Sequence, residues 1–273
     1  MGSTPFTLNR QVALLTKHEK QSVIHPLLAA AFDTAILQTD AFDTDKLGTF
    51  DQRVPRVLSP VETALKKAYL ACELTGQTQG LGSEGSFNGT IAGATLNQEV
   101  LAFVDTERDL QVIGFAQQYI SLRAIEAQDE VALGEQMQPF IEQYADAQKW
   151  MLKQDGKWLK GLSFRELLAS IKHWPCIIEP DFRAMYCIER QTTIEMACKD
   201  LIRCLSSHCP KCSAVNFVAK PSSEKAYLAC EWCGSDTTKL KPVMPSCDEC
   251  GFVEPEAQTS QTAPAMYCMQ CNP

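Results

Sequence analysis

The spacing of apolar and polar positions divides the chain into two unlike parts. From Ser59 to Thr75, Val61, Ala64, Leu65, Ala68, Ala71 and Cys72 recur at three- and four-residue intervals, which predicts a helix with one buried stripe. Ser59 as N-cap, Pro60 at the first helical position and Glu62 three residues after the cap form a capping box, and Gly76 supplies a left-handed stop. Apolar runs at Val12–Thr16 and Ala35–Leu37 predict strands, with a helix between them starting at Pro26 and running to Phe32. Glu99–Asp105 and Leu110–Phe115 flank the turn Thr106–Asp109 as a hairpin.

Further along, residues 121–155 read as irregularly helical, with Phe140, Ile141, Tyr144 and Trp150 inward, and Asp155-Gly156 marks a tight turn. Ser163 with Glu166 caps a helix through Leu167, Leu168 and Ile171. Ile194, Ala197, Cys198, Leu201, Ile202 and Leu205 share one face of a last long helix, which puts Cys198 in the core. The pattern predicts an α/β domain over residues 1–206, a mixed sheet flanked by helices.

After Ser206 the periodicity gives way to cysteine. Cys209/Cys212 is followed after seventeen residues by Cys230/Cys233, and Cys247/Cys250 after seventeen by Cys268/Cys271. This spacing predicts a double zinc ribbon over residues 207–273, with two zinc ions held by thiolates. Sequential pairing of neighbouring pairs is the expectation and a cross-brace, first pair with third and second with fourth, its competitor; spacing alone does not decide. Four-thiolate zinc leaves no open coordination position, so the ions are structural.

Charge narrows the partners. The chain carries −8 at neutral pH, and its tail has five lysines against seven acids, which argues against nucleic acid and leaves a protein contact through the ribbon. No apolar run approaches the roughly 20 residues of a membrane helix, and MGSTPFTLNR has no secretory pattern. The expectation is a soluble, cytoplasmic protein, away from membranes, in a setting that keeps thiols reduced.

Candidate chemistry gathers between Asp43 and Phe87. Asp43 and Asp45 precede the capped helix, and Gly82-Ser83-Glu84-Gly85-Ser86 follows it, read as a polar loop whose glycines admit a ligand. Cleaving a phosphoanhydride needs acids to hold a divalent ion, cations to position phosphates and a group that handles the proton of water. Asp45 and Glu84, with Asp43, are candidate magnesium ligands. Thr16, Lys17, Lys20, Lys67 and Ser86 are candidate phosphate contacts, Arg183 would touch phosphate or base, and His18 would orient substrate or act as acid or base. Lys66 reads as a solvated residue on the helix face.

Thr16-Lys17-His18, Asp43-Thr44-Asp45, Gly48-Thr49-Phe50, Glu84-Gly85-Ser86-Phe87, Arg183 and the terminal Cys-x-x-Cys-Asn-Pro together resemble an uncharacterised bacterial family catalogued as domain of unknown function 6671. The first part also resembles, more distantly, the nucleoside triphosphate pyrophosphatases of the inosine triphosphatase type. Thr16-Lys17-His18 is similar to that family's strand end, Asp45 to Phe50 to its acid and Gly-x-Thr-Phe turn, and Glu62 to Ala68 to its Glu-x-x-x-x-Lys-Ala helix. Ser83-Glu84-Gly85-Ser86 offers one acid where the family has two. That likeness implies a magnesium-dependent hydrolase of a nucleotide or related phosphorylated metabolite. The alternative class is a non-enzymatic ligand-sensing or adaptor protein.

Overall fold

The computed structural model describes residues 6–44, 58–89, 94–220, 226–241, 243–255 and 262–272. Thr7–Arg203 form one compact unit, and Cys204–Pro273 belong to a second.

In the first unit a five-stranded mixed sheet has the order β2-β1-β3-β4-β5, from β1 (Gln11–Leu15), β2 (Ala35–Thr39), β3 (Gln79–Gly89), β4 (Thr95–Asp105) and β5 (Leu110–Ile120). β1 runs parallel to β2 and β3, and β3-β4-β5 is an antiparallel meander. Helix α1 (Gln21–Phe32) joins β1 to β2, and α2 (Pro60–Thr75) leads into β3. The α2 capping box is present, with Glu62 N–H on Ser59 Oγ at 3.2 Å and Ser59 N–H on Glu62 Oε2 at 2.8 Å. Its buried stripe is Ala64, Ala68, Ala71 and Cys72, while Val61 is exposed because it lies in the first turn, ahead of the sheet contact.

A second, antiparallel sheet has the order β6-β9-β7-β8, from β6 (Ile125–Ala127), β7 (Trp150–Gln154), β8 (Lys157–Leu162) and β9 (Cys176–Pro180), with α3 (Glu130–Tyr144) and α4 (Phe164–Ser170). Leu133, Met137, Phe140, Trp150, Leu152, Leu167 and Ile178 form its core, each side chain contributing about 1.5–3 kcal/mol through burial. The Asp155-Gly156 turn has positive φ at both residues, as a tight hairpin between β7 and β8 requires. The last helix, α5 (Ile188–Ser206), buries Ile194, Ala197, Cys198, Leu201 and Leu205.

Three sequence expectations change. Residues 121–155, read as irregularly helical, hold strands β6 and β7 on either side of α3. Helix α1 begins at Gln21, not Pro26: its first turn closes with the Ile24 N–H on the Lys20 carbonyl at 3.1 Å, and Pro26 costs one intrahelical bond while its φ suits the helix. Gly82–Ser86 is not a loop but the middle of β3. A Cβ on Gly80 or Gly82 would overlap the α2 carbonyls of Ala68 and Ala64, and one on Gly114 of β5 would overlap the α5 backbone at Ala197 and Leu201. Gly82 and Gly114 lie on opposite faces of the sheet by register, so these glycines let α2 and α5 approach its two sides. Cys198 Sγ points to the Ile24 carbonyl at 3.9 Å, placing α1 beside α5.

Among its described residues the second unit has five short strands: β10 (Val218–Ala219) pairs with β13 (Pro245–Ser246), and β11 (Tyr227–Cys230) lies between β12 (Asp236–Leu240) and β14 (Thr262–Ala263). So small an apolar core needs a staple. Among the described residues no helix is long and apolar enough to cross a membrane.

Candidate functional site

Leu14 pairs with Leu81, so the carboxyl end of β1 opens beside Ser83–Gly85. Open α/β sheets place ligands at such strand ends. Lys20, at the N-cap of α1, is buried there, its Nζ 2.8 Å from Ser83 Oγ and 3.3 Å from Glu99 Oε2. Arg190, near the start of α5, donates through Nε to Glu99 Oε1 at 2.7 Å and through Nη1 to the Phe182 carbonyl at 2.6 Å. Asn97 Nδ2 adds a donor to Glu99 Oε1 at 3.3 Å. Gly85 leaves room for this network, because a Cβ there would strike the Glu99 carboxylate and the Arg190 guanidinium.

Around the buried network stand three further pairs. Lys67 Nζ lies 2.5 Å from Glu84 Oε2 and donates to the Ser83 carbonyl at 3.4 Å. Lys17 Nζ is 2.5 Å from Asp43. Arg183 lies 2.6 Å from the buried Asp181, which also accepts from the Gly161 N–H.

His18 is where the charges meet. Burial, then the cations Arg190, Lys20, Arg183 and Lys67, push its pKa down to about 4, so the imidazole is neutral at pH 7. Burial brings the Lys20 ammonium down to about 8, with Arg190 and Lys67 adding to the effect and Glu99 opposing it. Burial would raise the Glu99 carboxyl, but Arg190 and Lys20 outweigh it and hold it below the usual range.

The structure therefore brings together Thr16, Lys17, His18, Lys20, Lys67, Glu84 and Arg183. Ser86, two residues beyond Glu84 on β3, donates to Gln98 instead, at 3.3 Å. Asp43 is engaged by Lys17, and Asp45 lies outside the described residues. Among the described residues the groups of three or more metal-ligating atoms that come together are all cysteine, while Asp43 and Glu84 each lie against a lysine. Glu99, Arg190 and Asn97 were not legible as site residues. Glu99 opens an apolar run and Arg190 sits in a helix, 91 residues away, and only the fold joins them.

The cysteines form two tetrads, Cys209/Cys212/Cys247/Cys250 and Cys230/Cys233/Cys268/Cys271. This is the cross-brace, not the sequential pairing expected from the spacing. The reason is strand pairing: β10 joins β13 next to Cys247, and β11, which ends in Cys230, runs parallel to β14 at Ala263, so each pair meets the one after next. Sulfur separations of 3.7 and 3.5 Å in the first tetrad and 4.0 and 3.6 Å in the second match the edge of about 3.8 Å that a tetrahedron of Zn–S bonds produces. The thiols can thus hold one metal ion per tetrad, and an all-thiolate set suits zinc.

Each Cys-x-x-Cys is a tight turn in which the residue after the second cysteine donates its N–H to the carbonyl of the first: Ser213 to Cys209, Gly234 to Cys230, Gly251 to Cys247 and Asn272 to Cys268. Positive φ at Gly234 and Gly251 explains the glycines, and Ser213 accepts the same conformation. Burial raises the Cys209 thiol, but N–H donors from Cys212 and Lys211 bring it down to about 7, and the Ser235 N–H and hydroxyl bring Cys233 to about 6. In the same tetrads a backbone donor at Ala214 would lower Cys212, but burial and the neighbouring thiols push it up to about 12, and Cys233 and burial push Cys271 up to about 12, so a metal that takes all four sulfurs must displace protons.

The sequence model of a family described as a domain of unknown function (DUF6671) matches residues 67–273. That span takes in Lys67, β3, Arg183, Arg190 and all eight ligand cysteines, and leaves Thr16–Lys20 outside. No curated protein and no solved structure matches the chain.

Proposed function

The chain belongs to the DUF6671 family, whose description names no activity, and from its own geometry we propose a ligand-sensing adaptor. Its first unit binds a small polyanion, a phosphorylated metabolite, and its second is a structural zinc module. One observation carries the reading: Lys20 at the start of α1 and Lys67 of α2 both bond Ser83 of β3, and Arg190 of α5 joins Lys20 on Glu99, so cations from three separate elements close on one strand end. Among the described residues the cations Lys17, Lys20, Lys67, Arg183 and Arg190 stand against the carboxylates Asp43, Glu84, Glu99 and Asp181. An incoming phosphate would draw Lys67 from Glu84 and Arg183 from Asp181 without a large rearrangement, while the buried Glu99 pair holds the floor of the site. Neutral His18 can donate or accept one hydrogen bond to the ligand.

Calorimetric titration with inorganic pyrophosphate, then with nucleoside triphosphates, tests this on the zinc-loaded chain. Binding that Lys67→Met and Arg183→Met each weaken tenfold or more is expected; absence of binding to every anion sinks the reading.

A second reading, the magnesium-dependent pyrophosphatase implied by the inosine triphosphatase likeness, is favoured by one feature. The Thr16–Lys20 strand end, the Lys67 helix and the Ser83–Ser86 strand, three separate segments of that likeness, converge on one point. Against it stands the sequence of that strand, Ser83-Glu84-Gly85-Ser86, which offers one acid where that family has two. Magnesium-dependent release of pyrophosphate that Glu84→Gln abolishes would decide for the enzyme.

A further inference from the structure

Among the described residues the turns and 3₁₀ helix around the second cysteine tetrad carry four large apolar side chains that are exposed. Trp232 lies between Cys230 and Cys233 and is 75% exposed, and Met269 lies between Cys268 and Cys271 and is 68% exposed. The one-turn 3₁₀ helix before Cys268 adds Met266, 67% exposed, and Tyr267, 38% exposed, whose ring already carries the Lys239 ammonium 5.1 Å from its centre. The backbone segments that carry them are tied to one another. The Glu231 N–H bonds the Ala263 carbonyl at 3.0 Å, Glu231 Oε1 accepts from the Ala265 N–H at 3.2 Å, and the four thiols tie the two turns together. An exposed tryptophan and two methionines on a rigid frame cost little entropy to dock, and such residues dominate binding surfaces.

We propose that this face of the second tetrad docks a basic, amphipathic segment of a partner protein. Charge selects that occupant. The unit has five lysines against seven acids, and with zinc bound each tetrad sets four thiolates against one dication, adding roughly two negative charges per ion. A second copy of this chain, at −8, would meet like charge, and nucleic acid would be repelled. A segment with lysines or arginines flanking leucine-type anchors satisfies both the apolar face and the field around it. The proposal deepens the adaptor half of the functional reading and is independent of the anion site.

The test uses the full zinc-loaded chain and two fluorescein-labelled synthetic helices of eighteen residues, one of leucine and lysine, one of leucine and glutamate, followed by anisotropy. The lysine peptide should bind, more weakly as salt rises, and the glutamate peptide should not. The double variant Trp232→Ser, Met269→Ser should lose at least tenfold in affinity with its zinc content unchanged. Tyr119→Ser, which removes an exposed aromatic of the other unit, should change nothing. Failure of the lysine peptide to bind, or equal binding by the double variant, overturns the proposal. Self-association that the double variant abolishes overturns it in favour of a second copy. Pyrophosphate titration of the same samples reports separately on the anion site.

Discussion

Glu99 and Arg190 are joined by an Nε···Oε1 bond of 2.7 Å with both side chains almost wholly shut off from water, and Lys20 faces the same carboxylate at 3.3 Å. One buried anion thus answers two buried cations. Removing it strands both, and Glu99→Leu is expected to cost about 3–5 kcal/mol, read from urea denaturation. The triple variant Lys20→Met, Glu99→Leu, Arg190→Met should recover most of that loss, because no charge is then buried alone. Equal destabilisation by both would mean that shape, not charge, sets the cost.

The cross-brace predicts which cysteines fail together. A chain with Cys209, Cys212, Cys247 and Cys250 all changed to serine should keep one tightly held zinc ion, since the other tetrad is complete. Changing Cys209, Cys212, Cys230 and Cys233 leaves two half-sites and should abolish tight binding, although four cysteines remain. Metal analysis and the cobalt-substituted spectrum of the two variants distinguish the arrangements. The opposite ranking would restore sequential pairing.

Close approach of α2 to the sheet predicts a steep cost at one position. Gly82→Ala would press a methyl group onto the backbone at Ala64 and Ala68, for which about 2–4 kcal/mol is expected. Gly89→Ala, with open space at its Cβ, should stay within about 0.5 kcal/mol. A thermal melt of the two variants separates packing from chain entropy.

Local chemistry made much of the fold legible. The Ser59 box, the Gly76 stop, the Thr106–Asp109 turn and the Asp155-Gly156 hairpin are set by residues next to one another, and each lies where the spacing puts it. What the chain hid depends on distance. The glycines of Gly82–Ser86 resemble a loop until α2 is seen to press on them, and Glu99 resembles a surface acid until Arg190 reaches it from α5. The metal pairs were read correctly as pairs; their partnership needed the β11–β14 contact, which leaves no mark in the spacing. At the site, the strand-end residues Thr16 to Lys20 were visible because a β-to-helix turn rich in polar groups is local, whereas the buried Glu99 of β4 and Arg190 of α5 are joined only by the fold.

His18 supplies a pH-dependent test of the cation cluster. Its folded pKa is about 4 against an ordinary 6.5, so between those values the unfolded chain binds the proton and the folded chain does not. Stability must therefore fall as pH drops from about 6.5 to about 4, and above 6.5 the residue contributes nothing. At about 1.4 kcal/mol per pH unit the loss approaches 3 kcal/mol, and about 2 is a fairer figure after screening at a partly exposed ring. Glu99, with its depressed pKa, also loses its contribution in acid, but in wild type and variant alike. His18→Gln, neutral throughout, should remove the His18 share, so the wild-type urea midpoint falls further than the variant's as pH drops through this window. Parallel curves would place His18 in ordinary solvent, away from the four cations. Pyrophosphate bound among those cations cancels part of their charge, so in its presence the His18 ring resonances should titrate at higher pH, which ties the stability curve to occupancy of the site.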